Sequence, residues 1–202
     1  MCLNSLLFKY ENDLAHFATL LGKPAEAKQW TAMAEARRAA VDRYLWNAKT
    51  GFFFDWDQAA GKQSTYRYVT GFYPLWAGLA TPAQAAAAER HLPDFEHAGG
   101  LAMSTMASGT QWDLPFGWAP TNWMAVAGLE RYGFHADALR LSREFSSTVA
   151  QNYGRDGTVR EKYDVVSGSA NIALTAGYKA NGIGFGWTNG VYLKMQELLK
   201  QR

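Results

Sequence analysis

NSLLFKYENDLAHFATLLGKPAEAKQWTAMAEARRAAVDRYLW, residues 4–46 of a 202-residue chain, decides the fold class. Its first part sets Leu6, Leu7, Tyr10, Leu14, Phe17 and Leu21 at helical spacing, with Asn4 or Ser5 placed to cap the start and Gly22 to close the end. Pro24 then opens a second helix, because a missing N–H is no loss in a first turn. The Ala-rich body that follows favours helix and lets a neighbouring helix approach closely. With only Gly22 and Lys23 between them, the two helices must run antiparallel. The same unit recurs in VTGFYPLWAGLA (69–80) with TPAQAAAAERHL (81–92), and in TNWMAVAGLERYG (121–133) with FHADALRLSREFSSTVAQNYG (134–154). NGVYLKMQELLKQR (189–202) supplies a seventh helix after a long Gly-rich loop, residues 165–190, while GFFFDWDQAAGK (51–62) reads as a short extended aromatic segment ending in a turn. A series of helical hairpins separated by long loops predicts an all-α toroid whose loops gather at one end, and loops of that length inside a compact domain carry function.

Composition narrows the partners. With 48% hydrophobic and 14% aromatic residues the chain can bury a core as one domain over 1–202. Twenty Lys+Arg against eighteen Asp+Glu leave a formal charge of +2, without a basic stripe or acidic tail, so nucleic acid and membrane surfaces are excluded as expected partners and a neutral ligand is favoured. Cys2 alone cannot build a disulfide framework. His16, His91, His97 and His135 lack the spacing of a metal site, so neither a metal nor another cofactor is expected. No apolar run reaches the roughly 18 residues of a membrane span, and MCLNSLLFKYEND carries no leader pattern.

Two stretches carry chemistry. In GTQWDLPFGWAP (109–120), just before a helix, Trp112 and Trp118 offer flat apolar faces with an N–H edge, matched to the C–H faces and hydroxyls of a pyranose. Gln111 and Asp113 offer donors and acceptors to sugar hydroxyls. The structural alternative is that the tryptophans pack the loop onto the helices, Asp113 satisfies backbone N–H groups and Pro120 starts a helix. In TVREKYDVVSGS (158–169) and GIGFGWTNG (182–190), Glu161 and Asp164 bracket a tyrosine, and Phe185, Trp187 and Asn189 precede the last helix. A carboxylate beside aromatic walls is suited to activating water against a glycosidic carbon. The alternative for Glu161 is an ion pair with Arg160 or Lys162 on a solvated strand.

QWDLPFGWAP (111–120) also resembles the second signature of the α,α-trehalases of glycoside hydrolase family 37, Gln-Trp-Asp-x-Pro-x-(small)-Trp-x-Pro, at every fixed position. Further similarities follow in order: LNSLLFK, YLWN, GFFFDWD, FYPLWAGLA, the turn at Gly99, Gly100 and Leu101, EKYDV (161–165) and GFGWTNGVYLKM (184–195). The resemblance implies an (α/α)6 toroid that hydrolyses trehalose with inversion, with Glu161 as general base. Gln111, Trp112 and Asp113 are then expected at a sugar subsite, and Phe185 and Trp187 in a lid. It also implies two departures. The family's general acid lies in a Glu-Ser-Gly-Trp-Asp-like motif found nowhere in these residues, so the chain is expected to be the C-terminal part of the barrel, inactive alone. It is further expected either to self-associate or to be held by the missing N-terminal part, through open apolar faces at Leu6, Leu7, Phe8 and Tyr10 of the first helix and Val191, Leu193, Met195 and Leu198 of the last. Asp113 and Asp164 are the carboxylates that could stand in as acid. The segment NIALTAGYKANGI (171–183) replaces a Gly-run and Glu-Tyr-Pro-Leu-Gln-Asp, and Ala176 and Gly177 before Tyr178 leave a sugar-contacting Glu without a counterpart. Two other readings stand beside this one: a non-catalytic sugar-binding module, and an (α/α)6 glycosidase for another α-glucoside. The family includes both intracellular and periplasmic members.

Overall fold

The computed structural model describes residues 1–172 and 180–201, so the expectation at Ala176, Gly177 and Tyr178 lies outside the described residues. Among the described residues seven α-helices follow in series: α1 (Cys2–Leu20), α2 (Pro24–Tyr44), α3 (Tyr73–Ala77), α4 (Pro82–Glu89), α5 (Ala119–Arg131), α6 (His135–Asp156) and α7 (Gly186–Lys200). Short strands between them pair antiparallel: β1 (Trp46–Asn47) with β2 (Phe52–Phe53), β3 (Trp56–Asp57) with β4 (Lys62–Gln63), β5 (Glu96–His97) with β6 (Gly100–Leu101), and β7 (Phe116–Trp118) with β8 (Lys162–Asp164). The fold is the expected all-α series of hairpins, forming part of an (α/α)6 toroid.

The ends of α1 show where local rules held and where a neighbour overrode them. Gly22, at φ 67°, closes the helix: its N–H bonds Thr19 O at 3.1 Å and that of Lys23 bonds Ala18 O at 2.8 Å, a double closure that needs the left-handed backbone glycine tolerates. The start differs from expectation. Asn4 and Ser5 lie inside α1, which begins at Cys2, and Asn4 Oδ1 instead accepts from Arg37 Nη1 of α2 at 3.0 Å. The same guanidinium grips buried Glu11 through Nε (2.9 Å to Oε2) and Nη2 (2.7 Å to Oε1), fixing the hairpin's register. α2 ends at Tyr44, short of Trp46, because Trp46 pairs with Phe53 in the ribbon that the aromatic run builds. α7 starts earlier than expected, at Gly186, since the Asn189 amide bonds back to Phe185 O at 2.9 Å and steadies the first turn.

Packing follows the alternation of the series. α1 contacts α3, α3 contacts α5 and α5 contacts α7, while α2 lies on α1 and α6 on α5 and α7. The odd-numbered helices therefore form a continuous row, flanked by α2 and α6. Phe52, Phe72 and Phe95 lie in the hydrophobic core, with ring centroids 5.3–5.7 Å apart. The loops before α5 and α7 thus open at the same end of adjacent row members.

Leu3, Tyr10, Leu14, Phe17 and Leu21 of the α1 region are all exposed, and at 100° per residue they fall within an arc of about 60°. Of the residues expected at open faces, Tyr10 and Leu193 are exposed, whereas Phe8, Val191 and Met195 are core residues. Phe8 lies under the Arg38 guanidinium, 4.7 Å from its ring, and the other two face α5 and α6. The unpartnered stripe is thus rotated around α1 from the expected face. We predict that the 202-residue chain self-associates, and that Leu14→Asp with Phe17→Asp shifts it to monomer. Size-exclusion chromatography with light scattering reads this directly, and a wild-type monomer would refute it.

A second consequence concerns pH. Arg140 of α6 holds Glu96 through Nε (2.6 Å) and Nη2 (2.9 Å), and Asp137 through Nη1 (2.5 Å). Glu144 shares this cluster. Burial, and then the charge of Glu96, push its carboxyl up to about 7. An acid whose folded pKa exceeds its unfolded value of about 4.3 stabilises the fold while protonated and loses that contribution as pH rises through the folded value. The stability of wild type should therefore fall between about pH 4.3 and pH 7. Glu144→Gln should remove this slope, raising the melting temperature at pH 8 (about 2–4 °C per kcal/mol at this chain size) and leaving it near wild type at pH 5.

Candidate active site

β7 and β8 join the two informative stretches. Their register sets Phe116 against Asp164, Gly117 against Tyr163 and Trp118 against Lys162. Residues directly opposite in an antiparallel pair share a face, so Trp118 and Lys162 lie side by side, with Lys162 Nζ 4.6 Å from the Trp118 ring centroid. Gly117 is required for the close approach: a Cβ there would stand 2.4 Å from Val165 Cγ1 and 2.7 Å from Leu101 O. Asn122 of α5 locks the ribbon from beneath. Its Oδ1 accepts from Leu101 N (2.8 Å), and its Nδ2 donates to Leu101 O (3.1 Å) and Trp118 O (3.0 Å).

On this base stands an aromatic wall. Trp118 is buried and donates Nε1–H to Gln111 O at 2.9 Å. Trp112 stacks on it, with centroids 3.7 Å apart and planes 8° from parallel, yet remains 44% exposed. One face of Trp112 is committed to Trp118, and the ring still offers area to a ligand. Trp187 meets Trp118 edge-on at 5.8 Å, and Phe185 lies 4.9 Å from Trp187. The start of α7 is tied to the neighbouring backbone: Thr188 Oγ1 donates to Arg160 O (2.8 Å), Trp187 Nε1 to Glu161 O (3.3 Å), and Glu161 N to Gly182 O (2.9 Å).

The structure thus brings Gln111, Trp112, Glu161, Phe185 and Trp187 into one neighbourhood. Glu161 is 5% exposed and accepts from Lys162 Nζ at 2.6 Å through Oε2. An ion pair with Lys162 does exist, but both partners are buried, so the expected solvated strand is corrected. Arg160 pairs instead with Asp156 at 2.5 Å. Gln111 Oε1 is buried and has no hydrogen-bond partner among the described residues.

Asp113 stands differently from its expected sugar contact. The residue shows no accessible surface, and its carboxylate accepts from Tyr66 Oη (2.7 Å), Ser108 N (2.8 Å), Leu114 N (3.0 Å) and Ser104 Oγ. Burial alone would raise its pKa, but the hydrogen bonds from Ser108, Tyr66 and Leu114 outweigh it and hold the carboxyl below the usual value. Asp113 is therefore the hub that shapes the 104–114 loop. As a stand-in acid it is also poorly placed, because the donors around it favour the carboxylate. Asp164 closes the following turn, its Oδ1 accepting from Val166 N and Ser167 N at 2.9 Å. Lys162, Asn122 and Tyr66 were absent from the expected site. Lys162 alone had a signal, its adjacency to Glu161.

A family model described as Trehalase matches residues 1–200. The periplasmic trehalase of Salmonella newport is 39% identical over 201 residues, covering 98% of this chain and 34% of that protein. The structure of the neutral trehalase from Saccharomyces cerevisiae aligns with a TM-score of 0.81 at 34% identity, covering 97% of this chain and 37% of its own. A GH63 mannosylglycerate hydrolase from Thermus thermophilus, solved in complex with glucose, aligns with a TM-score of 0.76 at 25% identity over 100% of this chain and 47% of its own. The chain spans about a third of the length of the curated relatives it matches.

Exposure separates the two stacked tryptophans energetically. Trp112→Ala should change the melting temperature little, so that only contacts made by its exposed face are lost. Trp118→Ala should instead cost about 3–5 kcal/mol of stability, as for a buried aromatic. Thermal melts test both; a collapsed melting point for Trp112→Ala would reverse the assignment.

Proposed function

Because the chain belongs to the trehalase family, we propose that residues 1–202 form the C-terminal part of an inverting α,α-trehalase domain, contributing its general base and aromatic subsite wall. The observation that carries this reading is a buried carboxylate, Glu161, beside a wall of Trp118, Trp187 and Phe185 that ends in the exposed face of Trp112.

In this mechanism trehalose stacks one glucose unit on Trp112, with Gln111 supplying polar contacts and Phe185 and Trp187 closing over it. Glu161 takes a proton from a water that attacks the anomeric carbon on the face opposite the bridging oxygen. The bond to that oxygen breaks as a carboxylic acid protonates it, and inversion requires the two carboxyls about 6.5–9.5 Å apart. The acid comes from the remainder of the domain, since Asp113 and Asp164 are committed to their own turns. Asp113 serves as a positioning residue for the tryptophan loop. The remainder of the domain would also cover the apolar stripe on α1. The altered segment 171–183 supports a second reading, the same chemistry on another α-glucoside.

In the complete enzyme, Glu161→Gln keeps the shape and removes the base. Turnover of trehalose should fall at least about a hundredfold with little change in KM, as expected for general-base loss. Near-normal turnover would overturn the assignment.

A further inference from the structure

Lys162 is a fully buried ammonium, its side chain 0% exposed. Such a charge is costly to bury and persists where something depends on it. Consecutive strand residues normally point to opposite faces, yet Lys162 Nζ reaches Glu161 Oε2 at 2.6 Å. The chain bends at Glu161, between the bridge joining Arg160 to Ile183 and the first residue of β8. That bend is held on both sides. Glu161 N bonds Gly182 O at 2.9 Å, and Asn181 Nδ2 bonds Lys162 O at 2.8 Å. The ammonium is itself fixed by the Trp118 face 4.6 Å away, which the ribbon register puts there.

We propose that Lys162 is a positioning residue for the base: its ammonium, seated on Trp118, holds one oxygen of Glu161 and so sets the plane in which the other meets the attacking water. This rests on Glu161 being the base. A lysine suits the task because it is a point donor that engages a single oxygen, whereas the planar fork of an arginine binds a carboxylate through both. The arrangement also links the aromatic wall to the base, since Trp118 supports Trp112 and Lys162 alike.

A double-mutant cycle in the complete enzyme tests this, reading kcat and KM for trehalose in Glu161→Gln, Lys162→Met and the double variant, with folding followed by circular dichroism. Acting only through Glu161, the Lys162→Met change should lower kcat at least about tenfold with KM within about threefold, and should cost less than about twofold more in the Glu161→Gln background. Additive losses, or a change confined to KM, would overturn the proposal. The double variant removes both charges of the buried pair, so if Lys162→Met alone does not fold, an additive loss in the double variant relative to Glu161→Gln still overturns the proposal. Near-normal turnover in Glu161→Gln would instead sink the base assignment itself.

Discussion

The pairing of Trp118 with Lys162 across the β7–β8 ribbon is the constraint on which the candidate site depends, because it brings together segments more than forty residues apart in sequence. A slip of one residue in that register would turn one of these side chains to the face opposite the other. Several features prevent the slip. Gly117 admits Val165 and Leu101 to distances no side chain would allow, and Asn122 holds both the Leu101 and Trp118 carbonyls. Beyond the ribbon, Val165 N bonds Pro115 O at 2.9 Å and Gly99 N bonds Val165 O at 2.8 Å, extending the same lattice to the glycine turn.

The helices serve this ribbon by rigidity. α5 begins directly after β7, and α7 is fastened to the backbone of residues 160–161 at its first turn. Since α5 packs against both α6 and α7, any shift between the two loops must disturb a packed core. The aromatic wall is correspondingly preorganised: Trp112 is exposed but lies flat on a buried ring that is hydrogen-bonded to Gln111 O. A ligand meeting that face would find it already ordered, which lowers the entropic cost of binding.

Charge at the site is handled by burial in pairs. Glu161 and Lys162 neutralise each other within 2.6 Å, and Asp113 is surrounded by hydroxyl and backbone donors. The Glu161 and Lys162 pair is buried, so the interaction between them is less screened by water than an exposed pair would be. The cluster around Arg140 has a different outcome, because burial and then the charge of Glu96 push the Glu144 carboxyl up to about 7 while Arg140 engages Glu96 and Asp137.

The hairpin series was legible in the sequence because it rests on local physics. Apolar periodicity, Pro24 at a first turn and Gly22 at a left-handed closure act within a few residues, and the signature at 111–120 was readable because each of its residues carries its own chemistry. Helix ends were less legible where a distant partner competed, as when Arg37 took Asn4 from its expected capping role and Trp46 left α2 for Phe53. The surroundings of the candidate site's side chains were decided by tertiary structure alone. Nothing in QWD distinguishes a carboxylate that meets a sugar from one filled by Tyr66, Ser104 and Ser108, since those donors come from elsewhere in the chain. Likewise EKYD states that a glutamate precedes a lysine, but only a bend held by Gly182 and a tryptophan supplied by another strand bury that pair and turn neighbours in sequence into contacts in space.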